Sequence, residues 1–336
     1  MKILVTGGCG YIGSHTIVDL ISHGYDIVSI DNLSNSFADS LDGIFEITGV
    51  RVKNYNIDLC DLDATKAVFE SEKNIEGLIH FAAKKYVNES VEQPLSYYHN
   101  NLESLNNVLN CCEQYKVKHF VFSSSCSVYG NAVTLPVDEN CPLAIPESPY
   151  AFTKVMGEQI IKDFVKVSKV KATLLRYFNP AGGHPSGLLG EKPKQSALNI
   201  VPRITGTVLG KYEHFGIAGA DYPTTDGTCV RDYIHVSDIA NAHTLALEWL
   251  AKQTGQGICE VFNLGTGNGV SVLEMVKAFE SANKLKLNYT FEERRAGDVV
   301  AIYADNTKAR TVLAWETQFD LKEMMRSAWE WDRKNA

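Results

Sequence analysis

The sequence has no long hydrophobic run. Its 336 residues are 45% hydrophobic, yet no stretch approaches the roughly 20 apolar residues that a membrane-spanning helix needs. The first apolar run breaks at Gly7 and Gly8, which makes it too short for the core of a secretory signal. We therefore expect a cytoplasmic protein without membrane contact.

The chain also lacks an excess of positive charge. Its 32 Lys and Arg residues stand against 40 Asp and Glu residues, so the formal net charge is −8. Neutralising nucleic-acid phosphates requires a basic surface. We expect no nucleic-acid partner.

The eight cysteines lack the spacing of a metal site. No C-x-x-C pair is matched by a second pair, and the nine histidines are scattered, whereas zinc sites usually need such paired ligands. We predict no metal. The irregular spacing is also typical of free thiols in a reducing compartment rather than of a disulfide framework.

Short apolar runs alternate with longer helix-period stretches in the first half of the chain. The apolar runs lie at residues 3–5, 27–30, 78–82, 120–122 and 173–175. Their length and composition suit strands that are buried on both faces, and stretches such as 12–23 and 94–116 suit the helices between them. The pattern predicts an α/β fold, with a Rossmann-type doubly wound parallel sheet and a smaller mixed C-terminal substrate lobe.

The pattern of residues changes after Phe178. Residues 179–187 and 216–227 are rich in turn formers, which indicates a second lobe. Residues 234–250 and 261–264 look like one more helix and strand that return to the first sheet. We therefore predict two interleaved units, one of residues 1–178 plus 236–265 and the other of residues 179–235 plus 266–336.

A glycine-rich loop follows the first strand and opens the first helix. Its sequence is Gly7-Gly8-Cys9-Gly10-Tyr11-Ile12-Gly13. Gly7 permits a tight turn, Gly10 lets the backbone approach a pyrophosphate, and Gly13 lets helix and strand pack closely. The same glycines could form a tight loop without a ligand, but their place between strand and helix favours dinucleotide binding.

An acidic residue at the end of the second strand indicates which dinucleotide binds. Asp31 is followed by Asn32, Leu33, Ser34 and Asn35, with no Arg. A carboxylate accepts both ribose hydroxyls of NAD and repels the additional phosphate of NADP, so the sequence favours NAD. Asp58 and Leu59 follow the third strand. On spacing alone they either bound the adenine pocket or lie in a solvated loop.

A serine, a tyrosine and a lysine form the candidate catalytic group. Ser125 lies at the end of the fifth strand, and Tyr150 and Lys154 begin a helix 25 residues later. Four residues apart, Tyr150 and Lys154 share a helix face, so the ammonium can lower the phenol pKa from about 10 towards neutrality. By themselves, a Tyr and a Lys four residues apart are only a weak indication of a catalytic site. With the serines and the nucleotide loop on the same sheet, the pair predicts a proton-abstracting base beside a nicotinamide.

These motifs resemble the extended short-chain dehydrogenase/reductase family, and more closely its UDP-glucose 4-epimerase branch. The resemblance covers essentially the whole chain. The blocks in its second half carry the branch assignment, since the nucleotide loop is shared more widely. They include His184-Pro185-Ser186-Gly187, Asp226-Gly227-Thr228 and Val230-Arg231-Asp232-Tyr233-Ile234-His235.

The resemblance implies reversible C4 epimerisation of UDP-hexoses, UDP-glucose and UDP-galactose among them. Tyr150 would take the proton of the sugar 4-hydroxyl while hydride passes to a tightly bound NAD. Ser125 would hydrogen-bond the same oxygen, and Lys154 would hold the nicotinamide ribose. Return of the hydride to the opposite face of the 4-keto sugar would give the epimer.

The resemblance also implies a set of binding residues. The implied NAD contacts are Gly7, Gly10, Tyr11, Ile12, Gly13, Asp31, Asn32, Asn35, Asp58, Leu59, Phe81, Ala82, Lys85, Asn100, Ser123, Tyr150, Lys154 and Tyr177. The implied UDP-sugar contacts are Ser125, Tyr150, Asn179, Asn199, Arg231, Arg295, Asp298 and Ile302. Arg231 and Arg295 would suit a diphosphate through their forked donors.

One position departs from the family pattern in a way that bears on specificity. Ile302 occupies the place where a Tyr goes with plain hexoses and a Cys or Ser admits N-acetylated ones. Because Ile lacks the phenol ring, we expect some tolerance of UDP-GlcNAc and UDP-GalNAc.

Two alternative functions are compatible with the same fold. A nucleotide-sugar 4,6-dehydratase would commonly carry an Asp-Glu pair after the active-site Ser or Thr, where this chain has Cys126 and Ser127. A non-catalytic NAD-sensing protein would not need the Tyr and Lys of the candidate catalytic group, and both are present here, which favours an enzyme.

By analogy with the family, we expect a homodimer that pairs the helices predicted at 94–116 and 149–168.

Overall fold

The computed structural model describes residues 1–132, 134–143, 145–195, 197–295 and 298–336. In chain order, the strands are β1 (Lys2–Thr6), β2 (Asp26–Ile30), β3 (Lys53–Tyr55), β4 (Ile75–His80), β5 (His119–Ser125), β6 (Lys171–Tyr177), β7 (Asn179–Ala181), β8 (Phe215–Ala218), β9 (Val230–Arg231), β10 (Tyr233–His235), β11 (Cys259–Leu264), β12 (Val270–Ser271), β13 (Tyr289–Glu292) and β14 (Ala301–Ile302).

The α-helices are α1 (Tyr11–Ser22), α2 (Asp39–Thr48), α3 (Leu62–Ser71), α4 (Val87–Glu92), α5 (Pro94–Tyr98), α6 (Ser104–Gln114), α7 (Pro149–Val167), α8 (Ile200–Val208), α9 (Val236–Lys252), α10 (Val272–Asn283), α11 (Thr307–Leu313) and α12 (Leu321–Lys334). A π-helical turn, His99–Glu103, joins α5 to α6, and a 3₁₀ turn, Cys126–Tyr129, follows β5.

A seven-stranded parallel sheet forms the centre of the protein. Its strand order is β11-β6-β5-β4-β1-β2-β3, and every neighbouring pair runs in parallel. The strand order reverses between β1 and β4. In open parallel sheets, ligands bind at the carboxyl ends of the strands beside such a switch point.

Helices cover both faces of the sheet, so apolar side chains of its central strands are buried on either side. On one face Ile17 of α1 and Leu247 of α9 pack in one core with Val5 of β1. On the other, Val108 of α6 and Ile161 of α7 pack in a second core with neighbouring strands. The predicted doubly wound Rossmann-type sheet is confirmed.

The C-terminal lobe has small sheets and its own apolar core. Strands β12, β9 and β14 form a three-stranded sheet, while β7 pairs with β10 and β8 with β13. Helices α8, α10 and α12 enclose a core that includes Ile204, Phe279 and Met325. The lobe covers the carboxyl end of the main sheet on one side, so a cleft forms between the two.

A late strand and helix lie with the first sheet. Strand β11 pairs with β6 at the sheet edge, and α9 packs beside α1, as expected from residues 234–264. The division of the chain into the two interleaved units remains a prediction. Among the described residues, no helix combines the length and apolar character needed to cross a membrane.

Two local expectations differ from the structure. The helix predicted over 94–116 is interrupted by the π turn His99–Glu103, because one additional residue is accommodated there. The turn-rich segment 179–187 begins with β7, which pairs with β10. Pairing to a distant strand overrides the local turn preference of Asn179-Pro180.

Candidate active site

One cleft of about 850 Å³ opens at the carboxyl ends of the central strands. The predicted residues that line it are Gly7, Gly10, Tyr11, Ile12, Gly13, Asp31, Asn32, Asn35, Asp58, Leu59, Phe81, Ala82, Lys85, Asn100, Ser123, Ser125, Tyr150, Lys154, Tyr177, Asn179, Asn199, Arg231, Asp298 and Ile302. Arg295 is exposed and does not belong to this lining. The sheet topology thus brings together residues that are up to 295 positions apart.

The glycine-rich loop forms a cradle at one end of the cleft. Gly7 has φ +71°, and a Cβ there would lie 2.9 Å from the Ala82 backbone nitrogen. A Cβ on Gly13 would overlap the carbonyl oxygen of Gly7. Larger residues would therefore displace the loop from the start of α1, where backbone N–H groups are free to bind an anion.

Asp31 lies at the adjoining edge of the cleft and is held firmly. Its carboxylate accepts hydrogen bonds from the Cys9 and Leu33 backbone N–H groups at 3.0 and 2.9 Å, and from Ser36 Oγ at 2.7 Å. Both oxygens are thereby fixed on the side of the cleft where the β1 and β2 loops meet. The loop and this carboxylate fit the pyrophosphate and ribose of a dinucleotide.

Ser125, Tyr150 and Lys154 meet deeper in the cleft. Pro149 occupies the first turn of α7, and Ser148 Oγ caps the helix by accepting the Ala151 N–H at 3.2 Å. The cap sets the start of the helix, so Tyr150 and Lys154 face the end of β5. Lys154 Nζ lies 5.9 Å from the centroid of the Tyr150 ring.

The pKa values of this group differ from the expectation. Burial raises the pKa of Tyr150 to about 12, while a hydrogen bond with Ser125 acts in the opposite direction. Burial lowers the pKa of Lys154 to about 8. The predicted lowering of the Tyr150 pKa by Lys154 is therefore wrong, because burial outweighs it. Lys154 Nζ instead donates to the Ser123 carbonyl oxygen at 2.6 Å.

The opposite end of the cleft carries an arginine held by a carboxylate. Arg231 lies on β9, and its Nη2 is 3.4 Å from Asp298 Oδ1 while its Nη1 donates to the Val299 carbonyl oxygen at 2.5 Å. The guanidinium remains partly exposed to the cleft. Since Arg295 lies outside the lining, Arg231 is the predicted diphosphate-binding arginine that the structure places there.

Two further residues lie close to this end. Asn179 Oδ1 is buried and has no hydrogen-bond partner among the described residues, so it is available to a ligand in the cleft. Ile302 pairs with Arg231 across β14 and β9, and its side chain packs in a small apolar core with Val128 and Phe178.

Several lining residues were not predicted from the sequence. Lys84 and Tyr86 flank Lys85 in the segment after β4, and Glu191 lies in the loop before α8. The adjacent lysines directly after Ala82-Ala83 were a usable signal, because that segment follows a strand at the switch point. Glu191 had no local signal, since its contacts join distant parts of the chain.

Comparisons with known proteins agree with this fold. The family model described as GDP-mannose 4,6 dehydratase matches residues 4–328. A UDP-glucose 4-epimerase from Bacillus subtilis is 48% identical over 336 residues, covering 100% of this chain and 98% of that protein.

Solved structures are similarly close. The UDP-glucose 4-epimerase of Bifidobacterium longum, in complex with NAD+ and UDP, has a TM-score of 0.94 and 42% identity, covering 100% of this chain and 99% of that one. The UDP-Glc/GlcNAc 4-epimerase of Campylobacter jejuni has a TM-score of 0.85 and 36% identity, covering 99% of each chain.

Proposed function

The chain belongs to the UDP-glucose 4-epimerase family, and from that premise we propose how its own residues carry the reaction. It is an NAD-dependent isomerase that inverts C4 of UDP-hexoses. The assignment of roles rests on one observation. Ser125, Tyr150 and Lys154 line the same cleft as the glycine-rich loop.

Tyr150 exchanges a proton with the 4-hydroxyl of the sugar. Its hydroxyl lies beside Ser125 in the cleft, and Ser125 holds the sugar oxygen in line by a second hydrogen bond. Lys154 lies on the same helix face one turn later, so its positive charge reduces the cost of the phenolate. These three side chains move and hold the proton at O4.

The cofactor is held at the end of the cleft where the glycine-rich loop and Asp31 lie. The N-terminus of α1 and the backbone of Gly10 suit the pyrophosphate, and Asp31 suits a ribose diol. When bound, NAD supplies the acceptor and donor for the C4 hydride. Because each turnover restores the oxidised cofactor, the site can retain it.

Arg231, Asp298, Asn179 and Asn199 bind the UDP portion and leave the sugar free to turn. Arg231 offers guanidinium donors to a diphosphate, and Asp298 fixes its orientation. Asn179 offers an unpartnered Oδ1. Binding energy at the nucleotide end positions the sugar without being consumed at the reacting carbon.

Assay of the purified protein tests this proposal directly. The protein, with no NAD added, is given UDP-galactose, and the absorbance spectrum is recorded for bound cofactor. Formation of UDP-glucose with a retained dinucleotide supports the proposal, and absence of either one contradicts it. In Tyr150→Phe we expect activity to fall at least a hundredfold while the dinucleotide stays bound.

The matching family model carries a dehydratase description, so the same assay also examines the products. Dehydration of the sugar needs an acid and a base at C5 and C6. The two residues after Ser125 are Cys126 and Ser127, which supply no carboxylate. We expect the hexose to be recovered intact, with no 4-keto-6-deoxy product.

We also propose that UDP-GlcNAc and UDP-GalNAc are accepted. Ile302 lines the cleft, and its side chain is smaller than a tyrosine, so an N-acetyl group has more room there. The solved relative described as a UDP-Glc/GlcNAc 4-epimerase supports this extension. Turnover of UDP-GalNAc in the assay above, measured separately, tests it.

The homodimer remains a proposal, supported by apolar side chains on α5 and α7. Leu95 is 80% exposed and Phe152 is 42% exposed, and the rings of Tyr98 and Phe152 meet edge to face at 6.4 Å. A second copy would cover this face. Light scattering should give twice the chain mass, reduced in Leu95→Glu and unchanged in Val50→Glu, which alters a comparably apolar but separate site.

A cytoplasmic location is likewise proposed. The eight cysteines stand unbridged in the structure, a state that a reducing compartment maintains. Cell fractionation with antibody detection tests this location.

A further inference from the structure

Glu191 is an acidic side chain within a cleft that takes two diphosphates. It lies in the loop before α8 and lines the cleft, with only 10% of its side chain exposed. Its backbone carbonyl oxygen accepts the indole N–H of Trp331 at 3.2 Å, so α12 fixes this point of the loop. A carboxylate in such a place repels phosphates unless a neighbouring cation offsets its charge.

Two donors from opposite halves of the cleft meet at one oxygen of Glu191. Asn199 Nδ2 donates to Oε1 at 2.6 Å, and Lys85 Nζ donates to the same oxygen at 3.3 Å. Lys85 follows β4 on the cofactor side, whereas Asn199 directly precedes α8 on the substrate side. The carboxylate therefore bridges the two halves.

Each of these donors keeps capacity for a ligand while it is held. The Asn199 amide has a second N–H and its Oδ1, and the Lys85 ammonium has two more N–H donors. Both side chains are exposed, and within the described part of the chain Glu191 is the one hydrogen-bond partner that fixes the orientation of each. Pre-ordering of exposed side chains lowers the entropy that binding must overcome.

We propose that Glu191 is a positioning residue that holds Lys85 for the cofactor and Asn199 for the nucleotide sugar. This inference rests on the proposed function, because it takes NAD and a UDP-sugar as the ligands of the two halves. It assigns Glu191 no part in the chemistry at C4.

Two substitutions separate the bonds. Glu191→Gln removes the charge that pairs with Lys85 but keeps an oxygen for Asn199, whereas Glu191→Ala removes the bonds to both residues. We expect Glu191→Gln to weaken NAD retention about three- to tenfold with little change in KM. We expect Glu191→Ala to raise KM for UDP-galactose by a similar factor as well, with kcat nearly unchanged.

The readouts are the NAD content after prolonged dialysis, measured in the deproteinised supernatant, and the separate values of kcat and KM. Glu76→Gln is the matched control, because Glu76 pairs with Lys118 at 3.1 Å on the exposed surface. Lys85→Met should lose NAD as Glu191→Gln does, and the double variant should lose no more. Thermal unfolding confirms that each variant is folded.

The outcomes distinguish this inference from the proposed function. If wild-type protein lacks epimerase activity, the proposed function fails, while the NAD content of the variants still tests the bridge. If wild-type protein is active and Glu191→Gln retains NAD as Glu76→Gln does, the inference is overturned. A fall in kcat with unchanged KM and NAD content would also overturn it, since that indicates a direct catalytic role.

Discussion

Arg176 on β6 and Glu158 on α7, the helix that carries Tyr150 and Lys154, form a buried, bidentate ion pair. Arg176 Nε and Nη2 donate to the two carboxylate oxygens of Glu158 at 2.8 and 2.6 Å. Ser124 Oγ donates to the same carboxylate at 2.6 Å. Glu158 lies one helical turn after Lys154 on α7, so the pair fixes this helix to β5 and β6.

Removing one partner of this pair should destabilise the protein strongly. In Glu158→Gln the guanidinium of Arg176 stays buried without its counter-charge, and breaking such pairs costs about 3–5 kcal/mol. We expect the free energy of unfolding, measured by urea titration, to fall by that amount. Asp163→Asn, which breaks an exposed pair with Lys166 on the same helix, should unfold like the wild type. Equal losses in the two variants would contradict the prediction.

The stability of the protein should also fall in mild acid. Burial lowers the pKa of His80 to about 3 and those of His119 and His243 to about 4. These rings stay neutral in the folded state and gain a proton on unfolding below about pH 6.5. Their contribution is therefore present above that pH and is lost as the pH falls towards 4, by up to about 1.4 kcal/mol per pH unit for each ring.

Thermal unfolding at pH 7.5 and pH 5 measures this effect. In His119→Gln the melting temperature should fall less between the two pH values than in the wild type. His23→Gln, which alters an exposed ring at the end of α1, should leave the difference unchanged. If the melting temperature of His119→Gln falls as much between the two pH values as that of the wild type, His119 does not contribute to the acid sensitivity.

The central sheet could be predicted from the sequence because its strands carry their own signal. Residues 27–30 and 173–175 are apolar on both faces, and the glycine-rich loop marks the point where a strand meets a helix. Strand β7 could not be predicted, because Asn179-Pro180-Ala181 favours a turn locally. Its pairing with Tyr233–His235 comes from tertiary structure, which local preferences do not report.

The site could be predicted where motif and topology coincide, and less well where a long-range contact decides. Ser125, Tyr150 and Lys154 could be predicted because their spacing coincides with a glycine-rich nucleotide loop on the same sheet. The pKa of Tyr150 could not, since burial raises it and the tertiary structure sets that burial. Arg295 matched the family pattern, yet its side chain lies outside the cleft lining.

The lowered pKa of Lys154 predicts a limit to activity at alkaline pH. Its ammonium loses a proton as the pH rises through about 8, and with it the charge that favours the Tyr150 phenolate. We expect kcat/KM, which reports the groups of the free enzyme, to fall above pH 8. Lys154→Arg keeps its charge at this pH. Its lower activity should therefore lack this alkaline decline, and a decline that persists would assign it to another group.

The side chain at position 302 should set the choice between plain and N-acetylated sugars. Ile302 is 6% exposed and packs against Phe178 and Val128, so a larger side chain has to extend into the cleft. In Ile302→Tyr we expect kcat/KM for UDP-GalNAc to fall at least tenfold, while that for UDP-galactose changes less than threefold. Ile302→Cys, which frees space, should retain both activities. Equal losses for the two sugars in Ile302→Tyr would show that this position affects general packing rather than the N-acetyl group.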